Sequence, residues 1–211
     1  MSAQNREEIM ARLQDDGEAV VERFQPTSGR LSGWAAVALS ATIVLAAVVY
    51  RDQGFPVWVG AAALLVGVLA WASMLRPALW ATEEHLVMRN LGETVRIRLA
   101  AVEEMAVRQV LAVRAGERRL VSTVLGRTWR KTVTSRRDPS DAEGTREGMN
   151  YADWAEQRLR ELVDAARERA GVTAGSAEQR ALPDAVRREP ARLPLALIGA
   201  AAVLLVVSFF L

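Results

Sequence analysis

The stretch LSGWAAVALSATIVLAAVVY, residues 31–50, contains no charged side chain, histidine, asparagine or glutamine. Two other stretches share that property: FPVWVGAAALLVGVLAWASML at 55–75 and LPLALIGAAAVLLVVSFFL at 193–211. As helices, these runs of 20, 21 and 19 residues would each extend about 30 Å, which is the thickness of a bilayer core. Because lipid offers the backbone no hydrogen-bond partner, the sequence predicts three membrane-spanning helices.

The charge around these runs predicts their orientation. Only residues 51–54 separate the first two runs, so 31–75 is predicted to be a transmembrane helical hairpin with a tight turn. That turn holds one basic residue, whereas arginines collect at the opposite ends of the runs, at Arg12, Arg23, Arg30, Arg76, Arg89, Arg96, Arg180, Arg187, Arg188 and Arg192. The positive-inside rule therefore places the N-terminus and the middle domain in the cytoplasm. A single lysine among 27 basic residues is typical of GC-rich bacterial genomes. The expected location is the bacterial inner (plasma) membrane, as a multi-pass protein.

Between the second and third runs the pattern changes to short strands. Val95, Ile97 and Leu99 alternate with Arg96 and Arg98, which is the two-residue period of a half-buried strand. Strands are predicted throughout 78–133, at 85–89, 95–99, 107–114, 118–125 and 128–133, with turns at 90–93 and 115–117. The expected structure is an antiparallel meander of at least five strands.

A loop, a helix and a linker are predicted after the strands. Residues 138–150 are rich in Asp, Gly and Ser and are expected to form the loop. Residues 151–170 have the helical period. The apolar face of this helix is formed by Ala155, Leu159, Leu162, Val163 and Ala166, with Trp154 beside it. Gly171 ends the helix. Residues 171–192, with Gly, Ser and two prolines, are typical of a linker to the third membrane helix at 193–211.

The N-terminal 30 residues are predicted to be a cytoplasmic tail. Within it, residues 3–25 have apolar side chains at helical spacing, namely Ile9, Leu13, Val20, Val21 and Phe24. This spacing is compatible with a short amphipathic helix. Its polar face is more acidic than basic, so strong binding to anionic lipid is not expected of it. Docking of this segment on the middle domain or on a partner, and a frayed tail, are the alternatives left open.

Strands followed by one amphipathic helix, after a membrane hairpin, resemble the pleckstrin-homology-like (PH-like) domains of bacterial membrane proteins. The likeness lies in 78–132, especially in LWATEEHLVMRNLGETVRIRLAAVEEMAV, residues 79–107. In that family a strand ending in Arg-Asn precedes a turn and a second strand, and a Pro-Trp-x-x-Val step leads to the third. Arg89, Asn90 and Val102 fit this pattern, whereas residues 99–101 replace the proline and tryptophan with Leu-Ala-Ala.

This resemblance implies that residues 76–170 form a PH-like domain, a partly open barrel of antiparallel strands plugged at one end by the helix. Eukaryotic relatives often bind phosphoinositides through basic residues of the first hairpin. The corresponding turn here holds Glu83 and Glu84, so phosphoinositide binding is not expected. The overall expectation is an α+β membrane protein with three transmembrane helices and a cytoplasmic PH-like domain.

No catalytic, metal or cofactor site is predicted. The chain has no cysteine, which excludes disulfides and thiolate chemistry. His85 is the only histidine, and it lies in a predicted strand with no nearby partner for general base catalysis. Adjacent carboxylates such as Glu83 and Glu84 point apart on a strand or helix. The apolar runs hold no ionisable group for a proton or ion pathway. The expected function is therefore non-enzymatic.

One candidate binding surface remains in the second half of the predicted sheet. Residues 76–137 carry 13 basic and 6 acidic groups. The candidate anion- or partner-binding patch consists of Arg114, Arg118, Arg119, Arg127, Arg130 and Lys131. Arginine binds phosphate and carboxylate with two parallel hydrogen bonds, so the patch suits anionic lipid headgroups or an acidic protein segment. It is equally open to pairing with the acidic helix at 151–170, or to being a solvated strand face. Nucleic acid is not expected, because Trp129 is the only aromatic residue within the patch.

Two functions therefore remain open. The preferred one is a membrane-anchored PH-like interaction or scaffold module that binds a protein partner or the inner leaflet. The alternative is an accessory subunit of an envelope transport or biosynthesis complex, assembled through its transmembrane helices. Small residues at fourfold spacing, Ala38–Thr42–Ala46 and Ala63–Gly67, would let helices approach closely in such an assembly.

Overall fold

The computed structural model describes residues 14–15, 18–26, 29–126 and 151–210. It is an α+β chain with antiparallel sheets, as the sequence predicted. Two of the three predicted membrane-spanning runs form helices long enough to cross a membrane, and the third forms a shorter apolar helix. The chain divides into two compact units. The strand unit contains residues 1–27, 78–88 and 95–188, and the helical unit contains 28–77, 89–94 and 189–211. The predicted strand at 128–133 and the predicted loop at 138–150 lie outside the described residues.

The described elements alternate between the two units along the chain. The strands are β1 Gln14–Asp15, β2 Glu18–Phe24, β3 Ala78–Thr82, β4 His85–Arg89, β5 Glu93–Arg98, β6 Val102–Val107, β7 Leu111–Ala115, β8 Arg118–Ser122 and β9 Val186–Pro190. The helices are α1 Arg30–Val49, α2 Val57–Ala70, α3 Tyr151–Ala170, α4 Ala177–Arg180 and α5 Arg192–Ser208. A π-helical turn, Trp71–Leu75, continues α2, and 3₁₀ turns occupy Arg51–Gln53 and Leu99–Ala101.

The helical unit contains the apolar helices. By length and composition, α1 and the continuous helix Val57–Leu75 could each cross a membrane. Only 17% and 22% of their most apolar windows are buried, whereas the core helix of a soluble protein would bury most of its apolar surface. The third apolar helix, α5, is shorter at 17 residues. It packs against α2, where the rings of Trp58 and Phe209 stack at 5.9 Å.

α1 packs against α2 and its π-helical extension through residues spaced seven apart, with a glycine in each facing pair. The facing pairs are Gly33–Met74, Ser40–Gly67 and Ala47–Gly60. A Cβ atom built on each of these glycines would lie between 2.6 and 2.9 Å from the Cβ of its partner, closer than real Cβ contacts allow. A seven-residue period on two antiparallel helices is that of left-handed, coiled-coil-like packing. Glycine is therefore required at one member of each pair for the backbones to approach this closely.

The predicted small-residue face on α2 lies in this contact, and the predicted face on α1 does not. Ala63 is buried and Gly67 faces Ser40, as expected. Ala38 and Thr42 are exposed, and the Thr42 hydroxyl donates within its own helix to the Ala38 carbonyl at 3.0 Å. The α1–α2 contact therefore follows a sevenfold register, and the predicted fourfold face on α1 is left free of α2.

The β4–β5 turn belongs to the helical unit. The Arg76 guanidinium, at the end of the second apolar helix, donates to the carbonyl of Asn90 at 2.5 Å and to that of Leu91 at 3.3 Å. The backbone N–H of Ala191, which precedes α5, donates to the Gly92 carbonyl at 2.9 Å. This turn is therefore held by residues next to two of the apolar helices.

The strand unit contains most of a six-stranded sheet in the order β1-β2-β3-β4-β5-β9 and a three-stranded sheet in the order β6-β7-β8. Helix α3 lies against β6 and the 3₁₀ turn that precedes it. The helix has the bounds expected from sequence, and its predicted apolar face is buried. Trp154 lies beside this face, with its ring 6.4 Å from that of Phe24 and 5.4 Å from that of Tyr151. One apolar core thus joins α3 to strands of both sheets.

The N-terminal segment forms a strand rather than the predicted helix. β2 pairs antiparallel with β3 through register pairs that include Val20–Thr82 and Phe24–Leu79. The amphipathic helix predicted over 3–25 is therefore wrong for the residues of β2. The apolar residues there satisfy the helical spacing locally, but pairing with β3 supplies the hydrogen bonds and buries Phe24. A partner more than fifty residues away in sequence decided the outcome.

Strand boundaries also differ from the prediction between 99 and 115. The predicted strand 107–114 covers the end of β6, a turn at 108–110 and most of β7. β6 itself was not predicted, because Glu103 and Glu104 interrupt its apolar pattern. Leu99 begins a 3₁₀ turn instead of ending a strand.

The predicted linker at 171–192 is ordered by contacts with the strand unit. β9 joins the edge of the sheet beside β5, and the Arg98 N–H donates to the Ala185 carbonyl at 3.0 Å. Gln179 on α4 is 1% exposed. Its amide nitrogen donates to the carbonyls of Ala100 and Val102, both at 2.9 Å, and its amide oxygen accepts from the Gly175 N–H at 2.7 Å. The Gly and Pro content of this segment predicted a linker. Its contacts are with residues distant in the chain, and such contacts produce no periodic pattern in the local sequence.

Candidate functional site

The outer face of the three-stranded sheet carries the described part of the predicted patch. β7 pairs with β8 so that Arg114 faces Arg119 and Ala112 faces Val121. Leu111, Val113 and Leu120 alternate with these residues and are buried in the core. Strand alternation therefore directs Arg114, Arg119 and Val121 outward. The structure places Arg118 at the start of β8, where it is also exposed.

Arg114 is partly neutralised by neighbouring carboxylates. Its guanidinium lies 3.7 Å from Glu103 and 3.5 Å from Glu104, both on β6. Its Nε also donates to the Gly116 carbonyl at 3.4 Å. These distances are long, and Arg114 and Glu104 are exposed, so the pairs contribute little to stability. Arg114 is consequently a weaker candidate for binding an external anion.

Among the described residues of this face, Arg118 and Arg119 are the cations without an ion-pair partner. Neither side chain forms an ion pair or a side-chain hydrogen bond with any residue that the structure describes. Both are exposed, and Arg119 lies on the same face of β8 as Val121, which is 42% exposed. Arg127, Arg130 and Lys131, the other predicted members of the patch, lie outside the described residues.

Three acidic residues of α3 pair with arginines of the same helix. Glu161 pairs with Arg158 at 3.0 Å, Asp164 pairs with Arg167 at 3.0 Å, and Glu156 pairs with Arg160. Hydrogen bonds to Glu161 and to Glu22 on β2 hold the pKa of Arg158 above its ordinary value. Within the described residues, α3 therefore does not neutralise the arginines of β8, which was one of the alternatives that the sequence left open.

A second polar cluster lies where β2 meets the β3–β4 turn. His85 Nδ1 is 3.0 Å from one carboxylate oxygen of Glu18 and 3.2 Å from the other. The Thr82 hydroxyl donates to Glu18 at 2.5 Å. Burial raises the pKa of Glu18, but the hydrogen bonds from Thr82 and His85 outweigh it, and the net effect lowers this pKa. Glu84 also belongs to the cluster, because its carboxylate lies within 4.8 Å of the same donor atoms.

Sequence reasoning missed the Glu18 partner of His85. The two residues are 67 positions apart, and the helix predicted for the N-terminal segment concealed the strand pairing that joins them. The one signal that could have revealed the pair is the β-type alternation of residues 18–24, which ends in buried Phe24.

Comparison with protein-family models, with curated proteins and with solved structures finds no match to this chain. Neither a family nor a function therefore comes from similarity to another protein.

Proposed function

We propose that this chain is a non-catalytic, membrane-anchored interaction module whose PH-like strand unit binds an anionic surface through the outer face of β7 and β8. The observation that carries the proposal is the exposure of Arg118 and Arg119, two cations without a side-chain partner in the described part of the chain. The preferred ligand is the anionic inner leaflet, which attracts each nearby basic residue by about 1 kcal/mol. An acidic protein segment is the competing ligand.

Membrane anchoring is supported by three apolar helices in one packed unit. α1 and Val57–Leu75 are long enough to cross a bilayer and are mostly exposed. We propose α5 as the third span. Its 17 residues extend about 26 Å, and the apolar Phe209 and Phe210 follow it. Apolar surface of this extent on three adjacent helices is typical of contact with lipid rather than water.

The strand pairing supports one orientation for all three helices. β2 precedes α1 and β3 follows α2, and these two strands are paired. This pairing supports placing both ends of the helical hairpin on one side of a membrane. β9, directly before α5, belongs to the same sheet, which supports a start of α5 on that side too. Together with the arginine distribution this supports a cytoplasmic strand unit and an external turn at 51–54.

The absence of cysteine makes this orientation testable by single-cysteine labelling. An impermeant thiol reagent added to intact cells should modify Gln53→Cys and should leave Glu117→Cys, in the β7–β8 turn, unmodified until the cells are opened. Labelling of residue 117 but not of residue 53 in intact cells would show the opposite orientation.

A PH-like fold is supported by the layout of the strand unit. Antiparallel sheets are followed in the chain by the single long helix α3, which buries one face against β6 and the 3₁₀ turn. The N-terminal strands β1 and β2 and the C-terminal strand β9 are additions to the layout expected from sequence. They imply that the functional domain extends beyond residues 76–170, so a test should use the full chain.

The lipid proposal is tested with a spin label at Val121→Cys in full-length protein reconstituted into nanodiscs. Power saturation with a membrane-soluble relaxant reports whether this outward position approaches lipid. We expect closer approach on discs containing phosphatidylglycerol than on phosphatidylcholine discs, with the difference shrinking as salt increases.

Two charge reversals on the same sheet separate a specific face from general attraction. Arg119→Glu should abolish the lipid-dependent difference. Arg108→Glu, an identical change in the exposed β6–β7 turn at the other end of the sheet, should retain it. Equal label accessibility on neutral and anionic discs would reject the leaflet as ligand. In that case, an acidic protein that crosslinks to the unchanged chain but not to Arg119→Glu would be identified as the ligand.

An exposed face of α1 favours a second candidate function, an accessory subunit assembled through its membrane helices. Ala38 and Thr42 are not used in packing against α2 and remain exposed. If this face binds another membrane protein, Ala38→Leu should remove the copurifying partner while Arg119→Glu should not. The preferred function predicts the reverse result.

A further inference from the structure

The cluster around His85 has the donor composition of a transition-metal site. His85 Nδ1 and one carboxylate oxygen from each of Glu18 and Glu84 all lie within 4.8 Å of one another. Ligands bonded to Zn²⁺ at 2.0–2.2 Å in a tetrahedron are about 3.3–3.5 Å apart. The Glu18 and His85 atoms are slightly closer than this, at 3.0–3.2 Å. Only the exposed Glu84 side chain needs to move closer, and an exposed side chain changes rotamer easily.

The surroundings of the cluster orient one of these ligands. The buried Thr82 hydroxyl donates to Oε2 of Glu18, which leaves Oε1 directed toward His85 Nδ1. Hydrogen bonds of this kind, made to a ligand by a residue that does not touch the ion, are a regular feature of protein metal sites. Thr82 itself is held in place because it also accepts from the His85 backbone N–H at 2.9 Å.

The charge balance favours a divalent cation. Two carboxylates and a neutral imidazole carry a net charge of −2, and Arg96 offsets part of it through a weaker charge interaction with Glu18. Mg²⁺ and Ca²⁺ prefer ligand sets made only of oxygen, whereas an imidazole with carboxylates suits Zn²⁺ and Cu²⁺.

We propose that Glu18, Glu84 and His85 bind a divalent transition-metal ion, with Zn²⁺ best suited, which fastens the N-terminal strand β2 to the β3–β4 turn. Three protein ligands leave one position for water, as in open zinc sites. The site uses residues of the strand unit alone, so it does not depend on the proposed membrane placement. In this proposal the only histidine of the chain is a metal ligand, and the bound ion links the N-terminal strand β2 to the β3–β4 turn.

The test uses the full chain purified in detergent with an affinity tag that contains no histidine and stripped with a chelator. Calorimetric titration with Zn²⁺ should show one saturable site per chain. Glu84→Gln should weaken binding by more than about tenfold. The matched control is Glu83→Gln, which makes the same change one residue earlier, at an exposed carboxylate outside the cluster, and it should bind like the unchanged protein.

A spectroscopic readout identifies the ligand atom. Because the chain has one histidine and no cysteine, electron spin echo spectra of bound Cu²⁺ should show coupling to a single imidazole, lost in His85→Gln. Circular dichroism shows whether His85→Gln folds. If it does not, the Zn²⁺ affinity of Glu84→Gln still tests the proposal. That variant should fold, because the Glu84 carbonyl still accepts from the Leu99 backbone N–H.

Three results would overturn the proposal: no saturable Zn²⁺ binding, equal affinity of Glu84→Gln and Glu83→Gln, or Cu²⁺ spectra without imidazole coupling. In the last two cases the ion would be bound by other surface carboxylates.

Discussion

The two units of this chain differ in what their contacts demand of the sequence. In the helical unit, apolar side chains cover the helices on all sides, and glycine-to-side-chain contacts at intervals of seven residues determine which faces meet. In the strand unit, the core is closed by segments from three separate parts of the chain: β2, the strands from β3 to β8, and α3 with α4 and β9. The first unit is specified by close approach of helices, and the second by long-range pairing and buried polar contacts.

The largest expected difference between the units is the cost of removing a leucine side chain. Leu159 on α3 is fully buried, whereas Leu39 on α1 is 63% exposed. Leu159→Ala should reduce the free energy of unfolding by about 2–5 kcal/mol, because it leaves a cavity in the core. Leu39→Ala should change it by less than about 0.5 kcal/mol. Thermal unfolding in detergent, followed by circular dichroism, measures both. Equal effects would show that α3 is not part of the core.

Glycine substitution tests the close packing of the helical unit. A Cβ at position 60 would lie 2.6 Å from the Ala47 Cβ, whereas a Cβ at Gly199 on α5 would meet nothing within 4 Å. Gly60→Ala should destabilise the α1–α2 hairpin by about 1–3 kcal/mol through overpacking. Gly199→Ala makes the same change in a helix without the clash and should be neutral or stabilise by up to about 1 kcal/mol. Midpoints of unfolding in SDS report the difference, and a Gly60→Ala variant as stable as Gly199→Ala would contradict the assigned α1–α2 register.

Removal of the Gln179 side chain tests whether residues 171–190 are ordered by α4. Gln179→Ala leaves the carbonyls of Ala100 and Val102 and the Gly175 N–H without this partner. Unsatisfied buried groups cost about 1–3 kcal/mol. Trypsin should therefore cleave at Arg187 faster in this variant. The control Gln157→Ala, at an exposed position of α3, should leave the cleavage rate unchanged. Unaltered cleavage in both variants would mean that β9 is held without α4.

The smallest expected effect concerns Tyr151, whose hydroxyl accepts from the Gln25 N–H at 2.7 Å. Burial raises the pKa of Tyr151 above its ordinary value of 10.0 and outweighs the hydrogen bond from Gln25, which lowers it. The folded state therefore favours the neutral phenol. This contribution is fully present below the unfolded pKa and is lost as pH rises through the folded pKa.

Tyr151→Phe should cost about 0.5–1.5 kcal/mol at neutral pH, because it removes one hydrogen bond. It should also flatten the decline in stability above pH 10, which urea unfolding at several pH values would show. An unchanged alkaline decline would assign that decline to other groups.

Much of the strand unit was predictable from local pattern, and its closure was not. The helix over 151–170 and its buried face were found from periodicity, because Leu159, Leu162 and Ala166 recur at helical intervals. β4 was found from its apolar run, and β5 from alternation, although it begins two residues earlier than predicted. β6 was missed because its two glutamates face outward or sit half-buried in a short strand.

The candidate site shows the same division. Arg118 and Arg119 were predicted as members of a basic patch in the second half of the sheet, and the structure exposes both. Charge counts could not show that Arg114 pairs with Glu103 and Glu104. Nor could they show that acidic residues of α3 pair with arginines of the same helix. Such pairing depends on which strand lies next to which. The Glu18–His85 cluster was missed for this reason as well.

The sequence by itself determined the apolar helices, the strand-rich middle region and the amphipathic helix that follows it, because each depends on the period of side chains along one segment. Only the tertiary structure decided that the N-terminal segment is a strand, that residues 171–192 are ordered, and that α1 meets α2 at sevenfold rather than fourfold spacing. These outcomes depend on a partner distant in the chain. A short segment satisfies more than one local period, and the hydrogen bonds and buried surface supplied by that partner select one of them.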